Sequence, residues 1–225
     1  MNQNRASGPG AHTSDGSSVE LYKLLAGRGE AEIIHGAVAP DADVLELGAG
    51  VGRVTHALLR LGHRVTAIDN SAEMLAEIRG AEIERADIVG LDLKRTFGGV
   101  ILGSCLVNVV EDDLRREFLR TCARHVSGTG AVLLECHRER ADEWARAGSS
   151  TTDDSGVRIT WLDVVASNGR ITGTLEYSYG ESTWTQSFST RILSQGELSR
   201  ELESVGLTLV RRLSGNWVEA RKLAP

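Results

Sequence analysis

Two patterns of apolar and polar residues alternate along residues 44–136, one typical of strands and the other typical of helices. Segments with the pattern and length of strands occur at 44–47, 64–69, 82–86, 98–105 and 130–136, and stretches with helical spacing separate most of them. The fourth and fifth runs are almost entirely apolar, as in strands that are covered on both faces. The pattern predicts an α/β fold with a Rossmann-like, doubly wound and mostly parallel sheet. Two final runs, at 207–213 and 217–222, bring the expected sheet to seven strands.

The pattern changes between residues 157 and 192. Three runs of period two, at 157–166, 170–179 and 183–192, are rich in Thr, Ile, Val, Tyr and Trp. The pairs Asn168-Gly169 and Gly180-Glu181 separate these runs and favour tight hairpin turns. We therefore expect a three-stranded antiparallel sheet that is inserted after the fifth parallel strand.

The sequence of the N-terminal part predicts a tail followed by two helices. Residues 1–17 are polar and rich in Gly and Ser, which predicts a flexible tail. Apolar residues at helical spacing follow over 19–38, and Gly27 and Gly29 divide them into two helices. The expected organisation is a single domain over 18–225 with its antiparallel insertion at about 157–192.

Composition and charge narrow the classes of function. The net charge is −6 and no basic run is present, which argues against nonspecific nucleic-acid binding. Apolar runs stay well below the roughly 18 residues of a membrane-spanning helix, and no apolar leader opens the sequence, so we expect a cytoplasmic protein. Cys105, Cys122 and Cys136 lack paired spacing, which argues against a disulfide framework and a zinc site. We expect no bound metal.

A glycine-rich turn follows the first strand. Gly48, Gly50 and Gly52 alternate after the acidic Glu46, and they permit a sharp turn and a close backbone approach to a ligand. The dinucleotide fingerprint fails because Arg53 occupies the position that follows Gly52, and no phosphate-binding Gly-Lys-Ser/Thr is present. A cofactor with a nucleoside but no pyrophosphate fits better. The alternative is a strand-to-helix turn that binds nothing.

Three motifs together carry a resemblance to a known family. The segments are Leu45–Gly52, Val65–Ser71 and Ala86–Ile88. The chain resembles a class I S-adenosylmethionine (SAM)-dependent methyltransferase, which implies SAM as cofactor and S-adenosylhomocysteine as product. In that family the glycine turn passes the methionine part, an acid in the position of Asp69 binds the ribose hydroxyls, and an acid in the position of Asp87 receives the adenine amino group.

The resemblance implies a set of cofactor-binding residues. They are Glu46, Gly48, Ala49, Gly50, Gly52, Asp69, Asn70, Met74, Asp87, Ile88 and Ser104. Asp69 as a mere loop cap and Asp87 as a solvated loop acid remain the alternatives. Gly98 replaces an aspartate that the family more often has, so it is assigned no function.

The antiparallel insertion is similar to that of small-molecule methyltransferases, including sugar N-methyltransferases and glycine N-methyltransferase-like enzymes. This resemblance implies a small-molecule acceptor with a nucleophilic nitrogen or oxygen, a role in secondary-metabolite or antibiotic biosynthesis, and a homodimer. The open alternatives are a methyltransferase that acts on protein or nucleic acid, and a noncatalytic SAM-binding subunit.

Candidate residues for the reaction lie after the fourth and fifth strands. His137 is the candidate general base because an imidazole titrates in the useful pH range. Strand alternation lets only one of Glu135 and Cys136 face the site. The candidate substrate-binding residues are Tyr22, Cys105, Asn108, Trp144, Tyr177 and Arg191.

Overall fold

The computed structural model describes residues 6–137 and 146–223. The chain divides into two compact units, and their described parts are residues 6–27 with 146–192 and residues 28–137 with 193–223. We call the first the smaller unit and the second the larger unit. Within the described residues, no helix combines the length and the apolar character needed to cross a membrane.

The helices and strands follow the predicted order. The helices are α1 (Val19–Leu24), α2 (Glu30–His35), α3 (Arg53–Arg60), α4 (Ala72–Leu75), α5 (Asp112–His125) and α6 (Gln195–Glu203). The strands are β1 (Ala6–Ser7), β2 (Asp43–Leu47), β3 (Arg64–Asp69), β4 (Glu82–Arg85), β5 (Phe97–Leu102), β6 (Val126–Glu135), β7 (Ser150–Thr152), β8 (Arg158–Ser167), β9 (Arg170–Tyr179), β10 (Ser182–Arg191), β11 (Leu207–Arg212) and β12 (Trp217–Lys222). A 3-10 turn covers Leu106–Asn108.

The larger unit contains the predicted seven-stranded sheet, in the order β11-β12-β6-β5-β2-β3-β4. β6, β5, β2, β3 and β4 run parallel to one another, whereas β12 pairs antiparallel with β6 and with β11. The expectation of a Rossmann-like, mostly parallel α/β sheet is confirmed. In such a sheet the carboxyl ends of the parallel strands share one edge, where ligands bind. The loops that follow β2, β3, β4, β5 and β6 therefore carry the candidate site.

Strand alternation sorts the core of the larger unit into two layers. Even and odd positions of a strand point to opposite faces. One layer joins the sheet to α2 and α3, and its members include Ile34, Val44, Leu58, Ile101 and Leu133. The other layer joins the sheet to α5 and α6, and its members include Leu45, Val100, Leu119, Val132 and Leu198. By this alternation Glu46 and Glu135 belong to the face that α2 and α3 cover.

The smaller unit contains a five-stranded antiparallel sheet in the order β1-β10-β9-β8-β7. Its three long strands and the two hairpin turns agree with the prediction, and Asn168 and Gly169 have the positive φ of such turns. The prediction of three strands was wrong, because β1 and β7 add short edge strands. Strands of two or three residues are too short to show a period.

The N-terminal segment of the smaller unit packs on this sheet. Ala6 and Ser7 pair with β10, and Trp184 Nε1 donates a hydrogen bond to the Pro9 carbonyl at 2.9 Å. Leu21 of α1 is buried in a cluster with Val157, Ile159, Tyr177 and Trp184. The tail predicted over residues 1–17 thus includes a strand in its described part. Its flexibility, and the single domain over 18–225, stay predictions.

Candidate functional site

The glycine turn after β2 combines left-handed backbone with an open surface. Gly48, Gly50 and Gly52 have φ values of +74°, +56° and +82°, a region that favours glycine. A Cβ atom placed on Gly50 would have no atom within 4 Å, so the space beside that residue is free for a ligand. A Cβ atom on Gly48 would lie 2.9 Å from Leu106 Cδ1. The absence of a side chain at Gly48 therefore lets Leu106 pack closely against the turn, and its absence at Gly50 lets a ligand approach the backbone.

The backbone of this turn is tied to β3. The amide groups of Gly48 and Ala49 both donate hydrogen bonds of 2.9 Å to the Ile68 carbonyl. Ala49 is itself buried in a cluster with Ala67, Leu75 and Ile78. These contacts hold the turn in one conformation, as a preorganised ligand site requires.

Asp69, at the end of β3, is brought directly to the glycine turn. Its Oδ2 accepts a hydrogen bond from the Gly50 amide at 2.8 Å, and its Oδ1 accepts one from the Ser71 amide at 2.9 Å. The side chain is only partly buried. Each carboxylate oxygen has two acceptor sites, so both can also bind a ligand hydroxyl. Asp69 therefore holds the two loops through these amide groups, and it still has acceptor sites for the hydroxyl groups of a ribose.

The other candidate residues for the nucleoside follow β3 and β4. Asn70 Nδ2 donates a hydrogen bond to Asp87 Oδ1 at 3.0 Å, and both side chains are exposed. Ile88 Cδ1 would lie 3.8 Å from a Cβ atom on Gly48, which places Ile88 beside the turn. Met74 is buried in α4. The structure thus brings Asp87 to Asn70 and Ile88 to the glycine turn.

Glu46 is a buried carboxylate at the end of β2. Its Oε2 accepts a hydrogen bond from Thr55 Oγ1 at 2.5 Å, and 5% of the residue is exposed. Burial raises the pKa of Glu46 to about 7, against the effects of Thr55 and Arg53, and the charges of Asp69 and Glu30 add to the rise. Near neutral pH this carboxyl group therefore exists in both protonation states.

An ion pair joins the first turns of α2 and α3, and sequence analysis did not find it. Arg53 Nη1 lies 2.5 Å from Oε1 of the buried Glu30. Burial acts to raise the pKa of Glu30, but the hydrogen bond and the charge of Arg53 outweigh it and the pKa lies below its ordinary value. The two residues are 23 positions apart, so no local pattern signals the pair.

The loop after β5 is held by the end of β6. Ser104 and Cys105 have φ values of +52° and +53°, which are uncommon for residues with a side chain. The Ser104 amide donates a hydrogen bond to Glu135 Oε2 at 2.7 Å. Cys136 is buried in the opposite core layer, so Glu135 is the residue of this pair that faces the site. Burial raises the pKa of Glu135, although the Ser104 amide opposes the rise.

His137, Cys105 and Asn108 lie together at the same edge. The His137 amide donates a hydrogen bond to Asn108 Oδ1 at 2.9 Å, and Cys105 Sγ lies 3.6 Å from His137 Nδ1. Burial lowers the pKa of His137 to about 4 and raises the pKa of Cys105 well above its ordinary value. Thiol and imidazole are therefore both neutral at pH 7, which is the opposite of a thiolate–imidazolium pair.

The other substrate candidates belong to the smaller unit. Tyr177 is buried in the cluster that contains Leu21, and Tyr22 packs against the same cluster. The Tyr22 hydroxyl accepts a hydrogen bond from Ser17 Oγ at 3.3 Å. Arg191 ends β10, opposite Arg170. Trp144 lies outside the described residues. Across the part of the chain that the structure describes, no group of three or more His, Cys, Asp or Glu is arranged to hold a metal ion.

A family model described as a methyltransferase domain matches residues 44–130, from β2 into β6. The chain therefore contains a methyltransferase domain, which supports its identification as a SAM-dependent methyltransferase. The resemblance to class I SAM-dependent methyltransferases and the expectation of SAM as cofactor are confirmed. In this methyltransferase the matched region contains the glycine turn, Asp69 and Asp87.

Solved methyltransferase structures share this fold. A sugar N-methyltransferase from a Streptoalloteichus species is 14% identical, with a TM-score of 0.70 over 100% of this chain and 99% of its own. An amino pentose methyltransferase from Micromonospora echinaspora, solved with SAM bound, is 19% identical, with a TM-score of 0.61 over 92% and 93%. A glycopeptide N-methyltransferase in complex with SAM is 23% identical, with a TM-score of 0.63 over 88% and 95%. At these identities the likeness concerns the fold. No curated protein matches the chain by sequence.

Proposed function

We propose that this methyltransferase transfers the methyl group of SAM to a nitrogen or oxygen atom of a small molecule in a secondary-metabolite pathway. The observation that carries the proposal is the match to the sugar N-methyltransferase, which covers 100% of this chain and therefore includes the antiparallel sheet. The amino pentose methyltransferase takes part in calicheamicin biosynthesis, and the third neighbour is a glycopeptide N-methyltransferase. Two of these three names specify N-methylation, so an amine is the favoured acceptor.

The proposed cofactor site uses the carboxyl edge of the larger sheet. The free space beside Gly50 suits the methionine part, and Asp69 is fixed with acceptor sites for the two ribose hydroxyls. Asp87, with Asn70 beside it, would receive the adenine amino group. The remaining proposed contacts come from Glu46, Gly48, Ala49, Gly52, Met74, Ile88 and Ser104.

Bound SAM supplies an electrophilic methyl group on a sulfonium. The residues of the enzyme must hold the acceptor in line with that group and exclude water. His137, Cys105 and Asn108 line the proposed transfer site. Because the pKa of His137 is about 4, its imidazole is neutral at pH 7 and can accept a hydrogen bond from the acceptor. At pH 7 it is a weak base, so its proposed role is to orient a neutral amine and to receive a proton only transiently.

Tyr22, Tyr177 and Arg191 are the other proposed contacts to the acceptor, and Arg191 would bind a carboxylate of the substrate.

The test is methyl transfer from labelled SAM to a panel of amino sugars, other small amines, hydroxyl compounds, peptides and oligonucleotides. We expect label in a small amine, and none with the Asp69→Ala variant at low SAM concentration. Label confined to peptides or oligonucleotides would contradict the small-molecule proposal. Tight SAM binding without transfer to any class would favour a noncatalytic SAM-binding subunit.

A further inference from the structure

One side of α5 presents polar side chains to the loop that joins β4 to β5. Thr121, Arg124 and His125 are spaced three and four positions apart, so they lie on one side of the helix. Thr121 and His125 are buried, with 1% and 0% of their surfaces exposed. Buried polar side chains require hydrogen-bond partners. Residues 86–96, which we call the β4 loop, supply one to each of them.

Thr121 and Arg124 hold two carbonyl groups of the β4 loop. Thr121 Oγ1 donates a hydrogen bond to the Ile88 carbonyl at 2.8 Å, and Arg124 Nη1 donates one to the Leu91 carbonyl at 2.6 Å. A backbone hydrogen bond inside the loop, from the Leu91 amide to the Ile88 carbonyl, is longer, at 3.3 Å. Hydrogen bonds weaken beyond about 3.2 Å. The side chains of α5 therefore fix the bend between Ile88 and Leu91 more firmly than the backbone of the loop does.

His125 holds the β4 loop through one tautomer of its ring. The Leu93 amide donates a hydrogen bond to His125 Nε2 at 3.0 Å, and His125 Nδ1 donates one to the Thr121 carbonyl at 2.8 Å. An amide N–H only donates and a carbonyl only accepts, so Nδ1 carries a proton and Nε2 carries none. Both ring nitrogens are therefore occupied by contacts that tie the loop to α5.

The residue whose carbonyl Thr121 holds also lies at the candidate cofactor site. Ile88 Cδ1 would be 3.8 Å from a Cβ atom on Gly48, so its side chain reaches the glycine turn. Asp87 precedes Ile88 and accepts a hydrogen bond from Asn70 Nδ2. The backbone of Ile88 is therefore held by α5 at its carbonyl group, while the side chains of Asp87 and Ile88 point towards the loops after β3 and β2.

We infer that Thr121 is a positioning residue for the cofactor, because it holds the β4 loop in the conformation in which Asp87 and Ile88 meet the adenine ring. The inference rests on the proposed placement of adenine at these two residues. A ligand binds with full affinity only to molecules whose loop is already in place, and its apparent affinity falls with the fraction of such molecules. Thr121 raises that fraction before SAM binds, and Arg124 and His125 act in the same direction.

The experiment measures the binding of S-adenosylhomocysteine by titration calorimetry, without an acceptor. The variant is Thr121→Val, which keeps the shape of this buried side chain and removes the donor to the Ile88 carbonyl. Thr121→Ser retains the donor and should restore the affinity. The matched control is Thr208→Val on β11, at the other edge of the larger sheet from β4. We expect Thr121→Val to weaken binding about three-fold or more, as for one lost neutral hydrogen bond, and the other two variants to stay within about two-fold of the wild type.

Hydrogen–deuterium exchange separates a positioning role from a general loss of stability. In the ligand-free Thr121→Val variant, peptides that cover residues 86–96 should exchange faster than in the wild type, whereas peptides that cover β12 should exchange as before. Arg124→Gln changes an exposed position on α5 and should act on the same peptides in the same direction. It decides the question if Thr121→Val does not fold.

Other results overturn the inference. Equal affinities of wild type and Thr121→Val would mean that cofactor binding does not depend on this contact. An equal loss in Thr121→Val and Thr121→Ser would assign the effect to packing, and faster exchange in all peptides would assign it to global stability. Unchanged affinity of Asp87→Ala would remove adenine from the β4 loop, and the inference with it. Failure of every acceptor in the transfer assay would contradict the proposed function and leave these binding results unaffected.

Discussion

Replacing Glu46 with glutamine should stabilise the ligand-free enzyme in a pH-dependent way. Glu46 has a pKa of about 7 in the folded protein, compared with 4.5 for an exposed glutamate. The folded state therefore holds a proton that the unfolded chain releases at lower pH, and folding loses stability as pH rises from 4.5 through 7. Glutamine does not titrate, so Glu46→Gln escapes this loss while it keeps an acceptor for Thr55.

The expected magnitude follows from the two pKa values. At pH 5 the ionisation of Glu46 opposes folding by about 1 kcal/mol, and at pH 8 by about 3 kcal/mol. The free energy of unfolding of the variant, relative to the wild type, should therefore rise by about 2 kcal/mol between these pH values. We expect the same variant to bind SAM more weakly, because a carboxylate is lost from the proposed cofactor site.

Urea denaturation followed by tryptophan fluorescence at pH 5, 6, 7 and 8 measures this difference. The exposed Glu203→Gln variant is the control and should track the wild type at every pH. A difference between Glu46→Gln and wild type that stays constant from pH 5 to pH 8 would refute the reasoning, because it would mean that Glu46 titrates alike in the folded and unfolded states.

Three further predictions address the site and its support. Asp69→Ala should weaken SAM binding more than ten-fold in calorimetry, because one proposed ribose hydroxyl bond to a carboxylate contributes about 1.5–3 kcal/mol; unchanged affinity would mean that the ribose contact is misplaced. His137→Ala should lower turnover with little effect on SAM affinity, and since the pKa of His137 is about 4 the wild-type rate should show no inflection from this residue between pH 6 and 8. Full activity of that variant would discard its role. Arg115→Ala should lower the free energy of unfolding by about 3 kcal/mol, because the fully buried guanidinium binds the Val109 carbonyl and Asp112. The exposed Arg60→Ala is the matched control, and equal urea midpoints for these two variants would contradict the estimate.

Long periodic elements were predictable because one local pattern specifies each of them. β9 and β12 have the predicted bounds. The sequence predicts a helix over 111–123, and α5 differs from these bounds by one or two residues at each end. β6 begins at Val126 rather than at residue 130, because Ser127, Gly128 and Thr129 interrupt the apolar pattern at the start of the strand. The sequence predicts a helix over 72–79, whereas α4 ends at Leu75, beyond which hydrogen bonds of the 3-10 type continue the turn. β1 and β7 depend on pairing with distant strands, which no local pattern reveals.

The candidate site likewise contains some residues that a local motif predicts and some contacts that only the folded structure reveals. The glycine turn and Asp69 belong to contiguous motifs, so the sequence identifies them as candidates. The ion pair of Arg53 with Glu30 and the hydrogen bond of the Ser104 amide to Glu135 join residues 23 and 31 positions apart. Such contacts depend on the packing of the elements and on strand register, and the pKa of His137 depends on burial. None of these can be found from spacing alone.

The pairing of the N-terminal segment with the antiparallel sheet has a consequence for the design of chimeric proteins. Residues 6–27 and 146–192 share one hydrophobic cluster, with Leu21 between side chains of three sheet strands, and β1 extends the sheet at β10. A graft that exchanged the hairpins alone between related methyltransferases would expose this cluster and remove the partner of β1. Transplanted together, the two stretches would retain their common interior, so they form the natural unit for building chimeras.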